Sequence, residues 1–345
     1  MRVRIVCYED PSTWILGKFA IKLEQHLKKM GIQVDISDRT DSDADINHHI
    51  IYNGFNNQKS SIDTLMITHI DNISKMNLLK KQLKVAEIGI CMSNETMNNL
   101  SNLGVSRDKL CFINPAHDGN IKPKPKVIGI TSRVQADGRK REYFVEKLAK
   151  EISPEYFSFK IMGDGWNYQV NELRLRGFLV EYIDHFDYDL YTQLIPTIDY
   201  YLYMGQDEGQ MGFIDALSAG VETIVTPQGY HLDAIGGISY PFSTYEELLS
   251  AFKVIEASRK KLINSVAKWN WIDYTKKHVE IWEYLLSKKE VNLGYINKSN
   301  YADGLNTVSE FASMPVRISY SRKFMLIWTL ILKRVMHTYF YRKGK

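Results

Sequence analysis

Cysteine is scarce in this chain: Cys7, Cys91 and Cys111 are the only three in 345 residues, and each lies alone in a run that reads as a strand. Such spacing excludes a disulfide framework or a thiolate metal cluster and points to small core residues in a reducing compartment. The opening MRVRIVCYEDP has too short an apolar run for a signal peptide and reads as a first strand, so the body is expected in the cytosol. Residues 324–332 are apolar but too few for a bilayer, which needs roughly 20. Basic excess is also missing from the body. The net charge is +4, yet 318–345 hold seven Lys/Arg and no acid, leaving 37 basic against 40 acidic residues elsewhere. This argues against a body built to grip nucleic acid. There is no short-period repeat.

What is present is alternation. Hydrophobic residues make up 44% and aromatics 12% of a chain long enough for two domains with sizeable cores. Strands are expected at Val3–Cys7, Ile32–Ile36, His49–Tyr52, Thr64–Thr68, Ile88–Met92 and Lys109–Ile113, with helices at Thr13–Met30 and Glu95–Leu103. That order predicts a doubly wound parallel sheet. Pro123 and Pro125 in IKPKPK make a stiff, charged break. Alternation then restarts, with strands at Val127–Thr131, Phe157–Met162, Ile198–Tyr203 and Val221–Val225 and a helix at Arg141–Glu151. The expected division is 1–121, a linker at 122–126, a second domain at 127–288, a connecting segment at 289–317 and a tail at 318–345.

The richest stretch is DEGQMGFIDALSAGVETIVTPQG, Asp207–Gly229. Met211, Ile214, Ala216, Leu217 and Ala219 fall at helical spacings, Gly220 is placed to stop the helix, and Val221–Thr226 reads as a buried strand. An acidic, glycine-punctuated loop therefore precedes a helix N-terminus, where backbone N–H groups attract phosphate or hydroxyl oxygens.

Asp215-Ala-Leu-Ser-Ala-Gly220 resembles the second half of the Glu-x7-Glu motif of retaining glycosyltransferases of GT-B fold, the GT4-like group. The resemblance implies two Rossmann-like domains facing a cleft, the second binding the nucleotide-sugar. The chain departs from it in having Asp215 for Glu, and counting back eight positions reaches Asp207, whereas the Asp-Glu-Gly pattern favours Glu208. The resemblance gives the first acid to the donor sugar and the second to the ribose. It covers 1–288, strongly over 126–240.

The same resemblance supplies further site residues. Arg133 and Lys140, in ITSRVQADGRKREYF, look like the pair that clamps the donor diphosphate, with Arg139 an equal substitute for either. Fixed cations are what a departing diphosphate needs as its charge grows. Gly163 and Gly165 resemble the turn beneath the base, and Gly229 and Tyr230 the place where backbone amides meet phosphates. Gly209, Gln210, Met211 and Gly212 complete the donor loop. In the first domain, Gly17 is one glycine of the usual pair near the phosphates, and His69 ends a strand in the manner of a cleft-wall histidine. The donor is expected to be UDP- or GDP-linked, with no other cofactor. No metal is implied, because Asp41-Ser-Asp43 reads as a polar turn and Asp187-Tyr-Asp189 as the start of a helix.

In the tail, Phe324, Ile327, Trp328, Ile331, Leu332, Val335 and Tyr339 share one helical face and Arg322, Lys323, Lys333, Arg334 and His337 the other. An amphipathic helix on an anionic membrane surface is expected, suiting a saccharide or lipid-linked saccharide acceptor. The whole reads as a retaining, metal-independent hexosyltransferase at the inner face of the membrane, in polysaccharide or lipopolysaccharide synthesis. The rivals are a sugar-nucleotide epimerase of the same fold and a non-catalytic partner subunit.

Overall fold

The computed structural model describes residues 1–287 and, in the tail, Phe324, Met325, Ile327 and Trp328. The chain divides into two compact units, Met1–Asn114 with the described residues from Lys277 on, and Pro115–Lys276.

The first unit runs β1 (Arg2–Val6), α1 (Gly17–Lys29), β2 (Gln33–Ser37), β3 (Ile46–His49), β4 (Ile62–Ile67), α2 (Ile73–Gln82), β5 (Ile88–Cys91), α3 (Asn94–Asn102) and β6 (Leu110–Phe112). The strands form one sheet in the order β2-β1-β3-β4-β5-β6. Every pairing is parallel, with Val3 opposite both Val34 and Ile46. β5 is a fully buried apolar run and β4 is buried from Asp63 to Ile67, as strands covered on both faces require, whereas β1 alternates buried Val3 and Ile5 with half-buried Arg2 and Arg4. β3 is the exception. Asn47, His48 and His49 are wholly buried there, and His49 is held between Asp63 (3.0 Å) and the Tyr8 hydroxyl (2.7 Å). His48 meets Thr64 Oγ1 at 2.9 Å.

The second unit runs β7 (Lys126–Ile130), α4 (Tyr143–Glu151), β8 (Phe157–Met162), α5 (Asn167–Leu175), β9 (Val180–Ile183), α6 (Tyr188–Leu194), β10 (Tyr200–Tyr203), α7 (Met211–Ser218), β11 (Glu222–Val225), β12 (Tyr240–Pro241) and α8 (Tyr245–Ser265). α9 (Trp271–Ser287) crosses the division between the units. The second sheet is also parallel, ordered β12-β11-β10-β7-β8-β9. Phe157, Phe159, Trp166, Phe242 and Phe252 pack in one core cluster at no more than 1% exposure. Burying each contributes about 1.5–3 kcal/mol, which fixes α5 and α8 to the sheet. Tyr201, Tyr203, Phe213 and Leu194 form the other face's core with α6 and α7. The expected pair of doubly wound α/β domains is what the chain adopts.

The domain limits differ from those expected at 121 and 288. The chain after Pro115 is tied to the second unit: His117 N–H donates to Trp269 O at 2.8 Å, and Trp271 Nε1 donates to Asp118 at 2.8 Å. IKPKPK is therefore no free linker, and Lys126 already pairs in β7. At the other end, the His278 ring stands 4.9 Å and the Trp282 ring 5.6 Å from His48, so that part of α9 belongs with the first sheet. The connecting segment at 289–317 lies outside the described residues. So does the tail, apart from its four residues, which are helical and more than half exposed, with Phe324 and Trp328 stacked 6.4 Å apart. None of the described helices is long and apolar enough to cross a membrane.

Candidate active site

Six parallel strands bring six carboxyl ends to one edge of the second sheet. The strand order reverses at β7, which has β10 on one side and β8 on the other, and open α/β sheets bind ligands at such a switch point. A pocket of about 510 Å³ lies there. Its wall takes Thr131–Arg133 from the end of β7, Gly163 and Asp164 from β8, His185 and Phe186 from β9, Arg139 and Lys140 from the approach to α4, and Gln210 from the start of α7.

Glycines let these loops close on one another. Gly163 has φ 136°, and a Cβ there would lie 2.4 Å from Ser132 O; Gly165 has φ 87°, and its Cβ would lie 2.9 Å from Val134. A Val134 N–H bond to Asp164 O at 2.9 Å completes the seam. The Gly-x-Gly turn thus packs on the chain's own Arg133 loop and aims that loop at the pocket. Gly212 seats α7 on the sheet, since its Cβ would meet Thr131 Oγ1 and Tyr201 OH at 2.4 Å. Gly220, with φ 72°, ends α7 as expected, Val221 N–H reaching Ala216 O (2.9 Å) and Gly220 N–H reaching Leu217 O (3.0 Å).

The basic residues divide into two kinds. Lys140 is buried and spends its ammonium within the protein, donating to Asp207 at 2.7 Å and to the Tyr203 hydroxyl at 2.6 Å. Tyr203 in turn donates to the other Asp207 oxygen. Burial alone would raise the Asp207 carboxyl, but the Lys140 and Tyr203 hydrogen bonds outweigh it and hold the group below its ordinary value. Arg133, by contrast, is exposed on the pocket wall with no partner among the described contacts. Arg139 reaches Asp137 and Asp207 only at 3.7 and 3.9 Å. Two guanidinium groups are therefore open to an anion.

The acid loop is fastened by its neighbours. Asp207 also accepts from Gly209 N–H at 3.3 Å, and Gln206 N–H donates to Arg139 O at 2.9 Å, joining acid and basic loops. Gly209 and Gly229 interlock with the opposite strand end: their Cβ atoms would strike the Tyr230 ring (2.7 Å) and Glu208 O (1.9 Å). Gln210 bonds Thr131 O at 3.0 Å, and its N–H donates to Nε2 of the buried His231, whose Nδ1 faces Thr226 O at 3.1 Å. Those partners fix the Nδ1–H tautomer. The Glu208 side chain is exposed. Asp215 accepts from the Tyr191 hydroxyl, and the Tyr191 ring packs 5.5 Å from Phe186 on the pocket rim. Met211, exposed, starts α7.

Sequence reasoning missed Arg141, the mainstay of this edge. Its buried guanidinium donates to Met204 O (2.5 Å), Ser243 O (2.7 Å) and Thr226 Oγ1 (2.7 Å), so one side chain joins the ends of β10, β11 and β12. It lies in the left-handed region at φ 50°. Tyr203 and Tyr191 were missed as well, each being hidden in a run whose partners are remote in sequence. Only the basic cluster GRKR flagged Arg141's neighbourhood.

Gly17 and His69 belong to the first unit. Gly17 opens α1 against Pro11, whose carbonyl oxygen would lie 2.2 Å from an added Cβ, so its bareness serves the chain's own loop. His69 follows β4, is largely exposed and stands 3.9 Å from Asp71. Asp41 is taken by Arg2 (2.7 Å) and Arg4 (3.1 Å), and Asp187 caps α6 through Leu190 N–H at 2.8 Å.

No family model and no curated protein matches the sequence. Solved structures with a similar chain course include the apo form of the lipopolysaccharide outer core galactosyltransferase WaaB, at 12% identity over 84% of this chain and 100% of that one, TM-score 0.34. HepE from Anabaena in complex with UDP and glucose is 11% identical over 82% and 99%, TM-score 0.33. A glycosyltransferase from Rickettsia africae is 15% identical over 84% and 99%, TM-score 0.31. Similarity at this level says nothing of the reaction this chain performs, which must be argued from its own residues.

Proposed function

We propose that the chain is a glycosyltransferase of GT-B fold that moves a sugar from a UDP- or GDP-linked donor to a saccharide or lipid-linked saccharide acceptor. The observation that carries this reading is the switch-point pocket, where two exposed guanidinium groups, Arg133 and an Arg139 held only loosely by Asp137 and Asp207, stand beside a helix N-terminus and an exposed aromatic rim. Such a wall matches a nucleoside diphosphate: guanidinium forks and backbone N–H groups take phosphate oxygens, and Phe186 offers a face to a base.

In this reading the leaving diphosphate gathers charge as the glycosidic bond breaks, and Arg133 and Arg139 stabilise it. Lys140 is a positioning residue that holds Asp207 and with it the acid loop. Because Asp207 is consumed internally, Glu208 is the acid left to meet the donor sugar. Asp215 keeps one carboxylate oxygen for the ribose. Retention is inferred from the motif resemblance. We take the transfer to be metal-independent, since both Asp-x-Asp pairs are engaged elsewhere through Asp41 and Asp187. The basic tail supports work at the inner face of a membrane on a polysaccharide or lipopolysaccharide precursor.

The test is turnover with a panel of UDP- and GDP-sugars and saccharide acceptors. Glu208→Gln should lower product formation at least 10²-fold with nucleotide affinity retained. Near-normal turnover in that variant would remove the donor-sugar role from the loop, and no turnover in the intact protein with any donor would favour a non-catalytic subunit.

A further inference from the structure

The second unit carries a cationic and apolar face at the amino edge of its sheet, the edge opposite the pocket. α8 starts beside Ser243, where Arg141 joins the strand ends, and runs back along the sheet. The segment that enters β7 lies against its far end. Three contacts hold that segment: His117 N–H donates to Trp269 O at 2.8 Å, His117 Nε2 donates to Val266 O at 3.1 Å, and Arg259 Nη2 donates to Lys124 O. Between those anchors Ile121 is 93% exposed, and on the last turn of α8 and the turns that follow Leu262 (65%), Trp269 (40%) and Val266 (37%) are exposed as well. Lys122, Lys124, Lys261 and Lys268 are exposed among them and form no ion pair among the described residues. Residues 119–126 and 257–272 contain no acid. Glu256, Asp199 and Asp118, which adjoin this face, are engaged by Lys260 (2.6 Å), Lys126 (2.7 Å) and Trp271 Nε1 (2.8 Å). Positive charge is thus left unopposed around protruding apolar side chains.

We propose that this face lies against an anionic phospholipid surface, with Ile121, Leu262 and Trp269 entering the headgroup layer and the four lysines meeting lipid phosphates. An indole at that depth keeps its ring in apolar surroundings and its N–H in water, and lysine stems lie along apolar surface while their ammonium groups stay solvated. Along both segments the apolar side chains alternate with cations, a pattern that a fluid lipid surface accommodates without a shaped cavity. Nucleic acid would satisfy the lysines and leave Ile121 and Leu262 bare. Four lysines attract lipid only weakly, so this is a second contact, made while the basic tail holds the chain at the membrane. In that respect the proposal rests on the membrane reading of the tail; it is independent of the transferase reading. The contact turns the carboxyl edge, with its pocket, away from the lipid.

The experiment places a polarity-sensitive fluorophore on the full-length protein at Ile121→Cys and, in a second protein, at Tyr188→Cys, which is 67% exposed at the start of α6 on the opposite edge of the sheet. The three native thiols are buried and escape labelling. Sedimentation with vesicles of equal parts phosphatidylcholine and phosphatidylglycerol measures total binding. On adding vesicles the label at 121 should brighten and be quenched by spin-labelled lipid, and the label at 188 should do neither. Lys122→Gln with Lys268→Gln, both surface changes, should weaken vesicle binding by roughly fivefold for each lysine, with melting unchanged. Vesicle binding with the label at 121 still in water, or a double variant that binds as the intact protein does, would overturn the proposal and leave the tail reading standing. No vesicle binding by the intact protein would overturn both. Binding of an oligouridylate more tightly than vesicles, lost in the double variant, would make nucleic acid the partner and also overturn the proposal.

Discussion

Replacing Lys140 by Met should act on stability, whereas replacing Arg133 by Met should act on ligand affinity, and the contrast follows from their partners. Lys140 is 8% exposed and lies 2.7 Å from an Asp207 carboxylate that is itself 21% exposed. Removing one member of a buried pair costs about 3–5 kcal/mol, and the partial exposure of Asp207 brings the expected loss to roughly 2–4 kcal/mol. For a unit of this size that lowers the melting temperature by roughly 5–15 °C. Arg133 has no partner among the described contacts, so Arg133→Met should change stability by no more than about 0.5 kcal/mol. Its loss should instead remove charge-assisted hydrogen bonds to phosphate, about 1.5–3 kcal/mol or roughly 10- to 150-fold in affinity. Thermal melts with calorimetric titration of UDP and GDP measure both quantities. The pH dependence adds a check. The folded Asp207 carboxyl sits below its ordinary value, so its contribution is present above the unfolded value and disappears as pH falls through the folded one. The gap between the intact protein and Lys140→Met should therefore narrow below about pH 4. A Lys140→Met protein with unchanged melting and affinity lost as in Arg133→Met would refute the division of labour.

Three further outcomes are expected. Arg141→Met strips three strand-end acceptors of their shared donor and should destabilise the second unit by about 3–5 kcal/mol in urea melts, while Arg139→Met, two residues away, should stay within about 0.5 kcal/mol. His48 is fully buried; burial first, then the neighbouring His278 and His49, lower its proton affinity well below the ordinary value. A depressed histidine makes the folded state bind fewer protons, so the first unit should lose on the order of 1.4 kcal/mol per pH unit below about pH 6.5, a loss that His48→Phe should abolish. Deleting 318–345 should abolish binding to anionic vesicles, which salt should also weaken in the intact protein, with the melting of both units preserved.

The parallel strands were legible because burial on both faces makes them short apolar runs; Phe157–Met162 was placed to the residue. β3 was not. It was expected at 49–52 and lies at Ile46–His49, because Asn47, His48 Nδ1 and His49 find partners in Asp41, Thr64 and Asp63, contacts that no local pattern reveals. α2 and β9 were missed for a related reason: ISKMNLLKKQ is rich in Lys and polar residues, and VEYI has no fully buried position. At the site, motif order located the loops, and Gly163, Gly209, Gly212 and Gly229 all proved to need a bare Cα. What order could not convey is which charges face inward. Lys140 and Asp207 looked like two ligand contacts and proved to be each other's partners, a pairing set by Tyr203 at the end of β10.

The most direct test of the account is a crystal structure of the protein with UDP or GDP. The account predicts the diphosphate against Arg133 and Arg139 at the carboxyl edge of β7 and the base toward Phe186, with the Lys140–Asp207 pair intact. A nucleotide bound elsewhere, or none bound at millimolar concentration in solution, would contradict it.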